Sequence, residues 1–237
     1  MKQAKGFTLI ELMITIAVTM LLLVAVYVAI NAVQQHASGI ERKVTAQQDA
    51  KPALDLMALE ISMASYNPTF ATNIWVNPTG ACTAAAANQN YRGIQEATAN
   101  SIVVEMDIRG PAAGSDGDGM LGDPNEVVRY NYDTVNAYIT RETNCGGGQP
   151  FLGDTAASAN PRTVRVINAT LGLPIFQYFD GSGAQITIGT LNNQLPLATP
   201  NIRRIQITLA VETEDIDPTT GQRRRLIYST SVNPRNH

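Results

Sequence analysis

From Leu12 to Ile30 the chain contains no charged residue, yet Glu11 stands directly at the start of that run. About 20 apolar residues in a helix cross the ~30 Å hydrocarbon core of a bilayer, so the run is long enough to span one. An acidic side chain near the middle of a membrane helix costs about 2.5–3.5 kcal/mol, so a carboxylate in such a segment points to a role. Lys2 and Lys5 precede the run, which by the positive-inside bias leaves the first residues in the cytoplasm and everything after Asn31 outside. An ordinary secretory signal peptide has a shorter apolar region, about 7–15 residues, and a small-residue cleavage site. Ala29-Ile30-Asn31 is a poor site of that kind.

Lys5-Gly6-Phe7-Thr8-Leu9-Ile10-Glu11 resembles, at every position, the type III signal of type IV pilins and type II secretion pseudopilins. The resemblance implies a leader of residues 1–6, cut by a prepilin peptidase between Gly6 and Phe7, with methylation of the new Phe7 amine. It also implies that Glu11 meets the Phe7 amine of a neighbouring subunit during assembly. A buried carboxylate is tolerable when paired and expensive when alone, so such a pairing would favour entry into a filament over residence in lipid. The expected layout is a transmembrane and assembly helix over 7–31, an amphipathic continuation over 32–66, and a periplasmic β-rich head over 67–237.

The full chain carries a formal charge of −3, and loss of Lys2 and Lys5 makes it more acidic, which gives no support for general nucleic-acid binding. The length beyond the helix suffices for one compact domain with its own core. Outside the inner membrane the space is oxidising, so a Cys82–Cys145 disulfide is the natural reading of the two cysteines, with two buried free thiols as the alternative.

After the span, Val33, Ala37, Ile40 and Val44, then Leu54, Met57, Ala58, Ile61 and Ala64 recur at helical spacing. The first stripe is thin and suits packing between subunits; the second suits a sheet. Pro52 predicts a kink or break near Lys51, and Asn67-Pro68 predicts the helix end. Residues 69–100 read as loop. Strands are expected over 101–108, over 126–132 and 137–141 as a hairpin, over 163–167, over 175–179 and 185–188 as a second hairpin, and over 202–211 and 224–232 joined through Asp217-Pro218-Thr219-Thr220-Gly221. One long helix followed by strands, with no βαβ alternation, indicates an α+β head with a mainly antiparallel sheet, the pilin plan by resemblance.

Phe176-Gln177-Tyr178-Phe179-Asp180 and Ile202 to Leu209 look like the C-terminal half of PilW-like minor pilins and the related J-type pseudopilins. The resemblance implies a minor pilin that primes or caps a type IV pilus with other minor and major pilins, working with an inner-membrane assembly platform. It would be inserted by a single pass and finally reside in the fimbrium at the cell surface. The rival readings are a J-type pseudopilin of a type II secretion system, and a tip pilin that binds a ligand as an adhesin or in DNA uptake.

The richest constellation in the head is acidic. Asp116, Asp118, Asp123 and Glu126, separated by glycines, suit calcium, which takes six to eight oxygen ligands from a tightly curving loop. The spacing is not that of an EF-hand, because Gly114 and Asn125 fall where carboxylates are needed. The alternative is a solvated acidic loop, and no cofactor is required by either reading. Arg203, Arg204 and Arg223 to Arg225 suggest DNA or lipid headgroups, but neighbouring strand residues face opposite sides, and Glu212, Glu214, Asp215 and Asp217 are placed to pair with them. Enzymatic activity is not expected: His36 falls on the stem, His237 is the final residue, and no nucleophile, phosphate-loop or zinc motif occurs. Trp75, Tyr66 and Phe70 read as packing at the helix exit.

Overall fold

Thr8 begins the long helix, α1, which runs from Leu9 to Ser62. A computed structural model describes residues 8–78, 82, 87–110, 115–153, 163–187, 199–218 and 220–237. Gly6 and Phe7 lie outside the described residues. Every residue of α1 from Leu9 to Ile30 is exposed, so no other described residue covers the apolar run. The same holds for Val33, Ile40 and Val44, the thin stripe of the stem. Burial starts at Gly39 and Ala46 and becomes continuous through Ala50, Ala53, Leu54, Met57, Glu60 and Ile61. Met57 and Ile61 are wholly buried, and each such side chain contributes about 1.5–3 kcal/mol.

The expected break near Lys51 does not occur; α1 passes through Pro52. Proline removes one backbone hydrogen bond there. Ala50, Ala53 and Leu54 are nevertheless buried on either side, so packing holds the helical path. The helix also ends earlier than Asn67-Pro68 suggests. Met63 caps it, Ser65 turns into the left-handed region at φ 65°, and the Ser65 amide donates to the Glu105 carbonyl at 2.9 Å. Tertiary pairing at that point sets the exit.

Among the described residues, nine strands form two antiparallel sheets. The first runs β1 (Ile94–Ala97), β2 (Ser101–Glu105), β3 (Val127–Asp133), β4 (Tyr138–Thr143) and β5 (Gln149–Leu152) in sequence order. In the second, β8 (Arg204–Thr213) pairs with β9 (Arg225–Val232), and also with β6 (Val164–Val166) and β7 (Phe176–Phe179). β1 and β5 were not expected: β1 falls in residues 69–100, which read as loop, and β5 falls where no strand was expected, yet each is a short edge strand with an irregular register. The strand expected over 185–188 is reduced, among its described residues, to one bridge between Gln185 and Phe179. In β8 the odd positions Ile205, Ile207, Leu209 and Val211 are fully buried and meet α1, while Arg204, Gln206 and Thr208 face outward. β2 is buried on both faces. Ile102 and Val104 join the main core, and Val103 joins a smaller cluster with Val76 and Val127.

The β8–β9 turn reaches below the core and seats on the stem. Asp217 is buried beside Gly39, where a Cβ would stand 3.4 Å from both carboxylate oxygens. Arg224 grips the Asp217 carboxylate through Nε at 2.6 Å and Nη2 at 2.5 Å. Arg42 of α1 donates to the Ile216 carbonyl and lies 3.7 Å from Asp215.

Candidate functional site

The N-terminal turn of α1 is organised by Thr8 and Glu11. Thr8 is extended at φ −79° and ψ 152°, and its hydroxyl accepts the Glu11 amide at 3.3 Å. The Thr8 amide and hydroxyl both donate to Glu11 Oε2 at 2.9 Å, which completes a capping box. An anion here also complements the positive end of the helix dipole. Thr15 and Thr19 turn their hydroxyls onto the carbonyls of Leu12 and Thr15, leaving Glu11 as the one charged side chain from Thr8 to Ile30. In an isolated subunit, then, the carboxylate is held by its own helix end, on an otherwise apolar and uncovered rod. α1 is long and apolar enough to cross a membrane.

A family model, the prokaryotic N-terminal methylation motif, matches residues 1–27. These residues are a type IV pilin-type signal. Comparisons with curated proteins and with solved structures return no match. The signal, the exposed apolar helix and the α+β head with antiparallel sheets together make this a pilin-like chain.

In the head, the structure does not gather the acidic residues around a common point. Glu126 is wholly buried and is ringed by backbone donors: the Ile108 and Arg109 amides reach Oε1 at 3.1 Å, and the Gly122 and Asp123 amides reach Oε2 at 3.0 and 2.9 Å. Asp107, also wholly buried, takes the Asp118 and Gly119 amides at 3.0 and 2.8 Å. A side chain at Gly117 would collide with the Asp107 carboxylate, so that close approach requires glycine. Burial pushes the Asp107 carboxyl up, against the pull of its amide donors. Asp118 folds onto the Met120 amide at 3.0 Å, Asp116 is exposed, and Asp123 supplies its amide rather than its carboxylate to Glu126. Among the described residues no group of three His, Cys, Asp or Glu side chains is placed to hold a metal ion. Peptide N–H groups occupy both carboxylate oxygens of Glu126 and one of Asp118. The melting temperature of the full chain in detergent is therefore expected to be the same in calcium and in EGTA; a calcium-dependent rise of several degrees would reverse this reading.

Cys82 and Cys145 form a disulfide, with their Cα atoms 5.8 Å apart. The basic and acidic residues of the β8–β9 hairpin pair as expected only in part, since the Glu214 carboxylate faces Arg165 and Asp215 faces Arg42, both outside the hairpin. Arg225 lies 3.5 Å from Glu212, Arg224 holds Asp217, and Arg223 Nε donates to the Glu214 carbonyl at 2.8 Å. Arg204 stacks 3.7 Å over the Phe179 ring. Trp75 is buried, but Phe70 is 87% exposed and Tyr66 is exposed too, so those two do not pack at the helix exit.

Sequence reasoning missed two internal polar sites. His237 is not outside the head: its ring is buried, with Nδ1 3.0 Å from Ser65 Oγ and Nε2 2.8 Å from the Thr199 carbonyl. Burial pushes its pKa down, and the second contact requires an Nε2–H donor. The other site centres on Glu60, which lies on the buried face of α1. Arg141 Nη2 reaches Glu60 Oε1 at 2.5 Å and Asn125 Oδ1 at 3.0 Å, while the Tyr130 hydroxyl donates to Glu60 Oε2. Burial, with the Glu60 charge, pushes the Tyr130 phenol strongly up. The available signal for Glu60 was its position between Met57, Ile61 and Ala64 on the apolar stripe.

Proposed function

We propose that this chain is a minor pilin of a type IV pilus, processed by a prepilin peptidase between Gly6 and Phe7 and joining other pilins through Glu11. The carrying observation is the signal over residues 1–27 together with a single carboxylate on the otherwise apolar, uncovered Leu9–Ile30 part of α1. A carboxylate self-capped by Thr8 is tolerable in the free subunit, and a cationic amine on a neighbour offers it a stronger, charge-assisted partner. The thin exposed stripe of Val33, Ile40 and Val44 supplies apolar surface for packing between stems. In this reading the N-terminus is cytoplasmic, the head is periplasmic until extrusion, and the protein has no catalytic role. A PilW-like position, priming or capping the filament, suits the large two-sheet head. A J-type pseudopilin would carry the same signal, and disruption of the gene separates the two: loss of pili supports the minor pilin, whereas loss of protein secretion with pili intact supports the pseudopilin.

The experiment is N-terminal sequencing of the mature protein, combined with a Glu11→Ala variant. The mature chain is expected to begin at methylated Phe7. The variant is expected to insert in the membrane at wild-type levels and to fall to background in sheared filaments. A mature chain starting elsewhere removes the peptidase assignment, and unchanged incorporation removes the role of Glu11.

A further inference from the structure

Glu105 is fully buried in β2, and its Oε2 accepts one hydrogen bond, from the Val76 amide at 3.1 Å. Among the described residues its Oε1 is buried without a hydrogen-bond partner. The side chain shares its face of the first sheet with Val103, Val127 and Arg129, as the β2–β3 register requires. That face is covered by Ile74–Pro78, whose Ile74, Trp75 and Val76 are buried. The cover is fastened at several points. Gln89 brackets the Trp75 backbone, accepting from its amide at 3.2 Å and donating to its carbonyl at 2.8 Å. Arg129 Nη2 donates to the Pro78 carbonyl at 3.0 Å, and a disulfide ties Cys82 to Cys145, just past the end of β4. Of these fastenings only the Val76–Glu105 hydrogen bond ends on an acid with an unsatisfied oxygen.

Among the described residues no cation forms an ion pair with Glu105, and the buried Arg129 Nε on the same face has no hydrogen-bond partner of its own. Arg129, on the same face, is shared between Glu96 at 3.4 Å and Glu142 at 3.6 Å. An ionised Glu105 would be an anion in apolar surroundings with one N–H donor, an arrangement that costs far more than the neutral acid.

We propose that the Ile74–Pro78 cover is a pH-responsive element of the head, seated when Glu105 is a neutral acid and loosened when Glu105 ionises. Burial raises the folded-state pKa of Glu105 well above its ordinary value. The stabilisation from the seated state is therefore complete below the ordinary carboxyl range and is lost as pH rises through the higher, folded value. Loosening lets water reach the carboxylate and uncovers Val76, Val103 and Val127, while the disulfide limits how far the cover travels. This proposal is independent of the role assigned to Glu11.

Trp75 is the single tryptophan of the chain and sits in the cover, so its fluorescence reports the state directly. The full chain in detergent micelles is titrated from about pH 4 to about pH 9, a window that brackets ordinary and strongly raised carboxyls. As pH rises, emission is expected to move to longer wavelength and acrylamide quenching to increase about twofold, with a midpoint above the ordinary glutamate range. Glu105→Gln keeps an oxygen for the Val76 amide but cannot ionise, and its curve is expected to be flat. Glu105→Met serves the same purpose if the glutamine variant does not fold. A flat wild-type curve, or a Gln or Met variant that titrates as wild type does, overturns the proposal.

Discussion

Glu60→Ala is expected to destabilise the head by about 3–5 kcal/mol, the usual cost of removing one partner from a buried ion pair. α1 rests chiefly on β8 and β9 of the second sheet. Glu60 extends that contact to the first sheet, because Tyr130 lies on β3 and Arg141 on β4. Without the carboxylate, the fully buried Tyr130 hydroxyl and a guanidinium that is only 22% exposed lose their common acceptor. Phe151, edge-on to Tyr130 at 5.2 Å, helps close the surroundings and limits solvent replacement. For a domain of this size the loss corresponds to a fall in melting temperature of roughly 10 °C. Glu60→Gln retains an acceptor for Tyr130 but gives up the charge, and is expected to cost about 1–2 kcal/mol. Circular dichroism melts of the full chain in detergent measure both. If Ala and Gln each fall within about 0.5 kcal/mol of wild type, the network is a surface pair without structural weight.

Reducing the Cys82–Cys145 bond is expected to cost about 4 kcal/mol, the loop-closure value for its sequence separation of 63 residues. The effect should be concentrated on one side of the head, since Cys82 follows the cover over β2 and Cys145 follows β4. Hydrogen exchange on the reduced protein is expected to accelerate first at Ile74–Pro78 and β2, with α1 residues Ala50 to Ile61 protected longest. A Cys82→Ser/Cys145→Ser double variant should reproduce the result without reductant. Uniform acceleration over both sheets would show that the bridge stabilises the head globally, and unchanged melting would show that native contacts already hold the ends together.

The parts of the fold legible in the sequence are those carried by periodic burial and local turn chemistry. The β3–β4 hairpin was visible because Asp133 supplies its own turn, accepting the Val135 and Asn136 amides at 2.9 Å. The β8–β9 pair was visible from long alternating runs on either side of a proline–glycine turn. β1 and β5 were not, since each has four residues and β5 contains Pro150, which argues against a strand until a neighbour supplies the pairing. Pro52 misled in the opposite direction, because buried neighbours outweigh one lost backbone bond.

The site divides in the same way. Glu11 stood out in the one-dimensional pattern because a charge bordering a long apolar run is conspicuous wherever the chain later goes. The acidic loop was equally conspicuous, but the partners of Glu126 and Asp107 were not legible in it, since they are peptide N–H groups that every non-proline residue carries. Composition alone does not distinguish a carboxylate waiting for a cation from one already satisfied by the backbone.

What the sequence determined by itself, then, was the apolar N-terminal helix, its signal and the antiparallel character of the head, all properties of short stretches of chain. Only the tertiary structure decided where α1 ends, that the strands divide into two sheets, and which acids are buried with donors and which without. Those outcomes depend on contacts between segments distant in sequence, such as Ser65 with Glu105 or Glu60 with Arg141, where desolvation and the geometry of available donors, rather than residue type, set the energy.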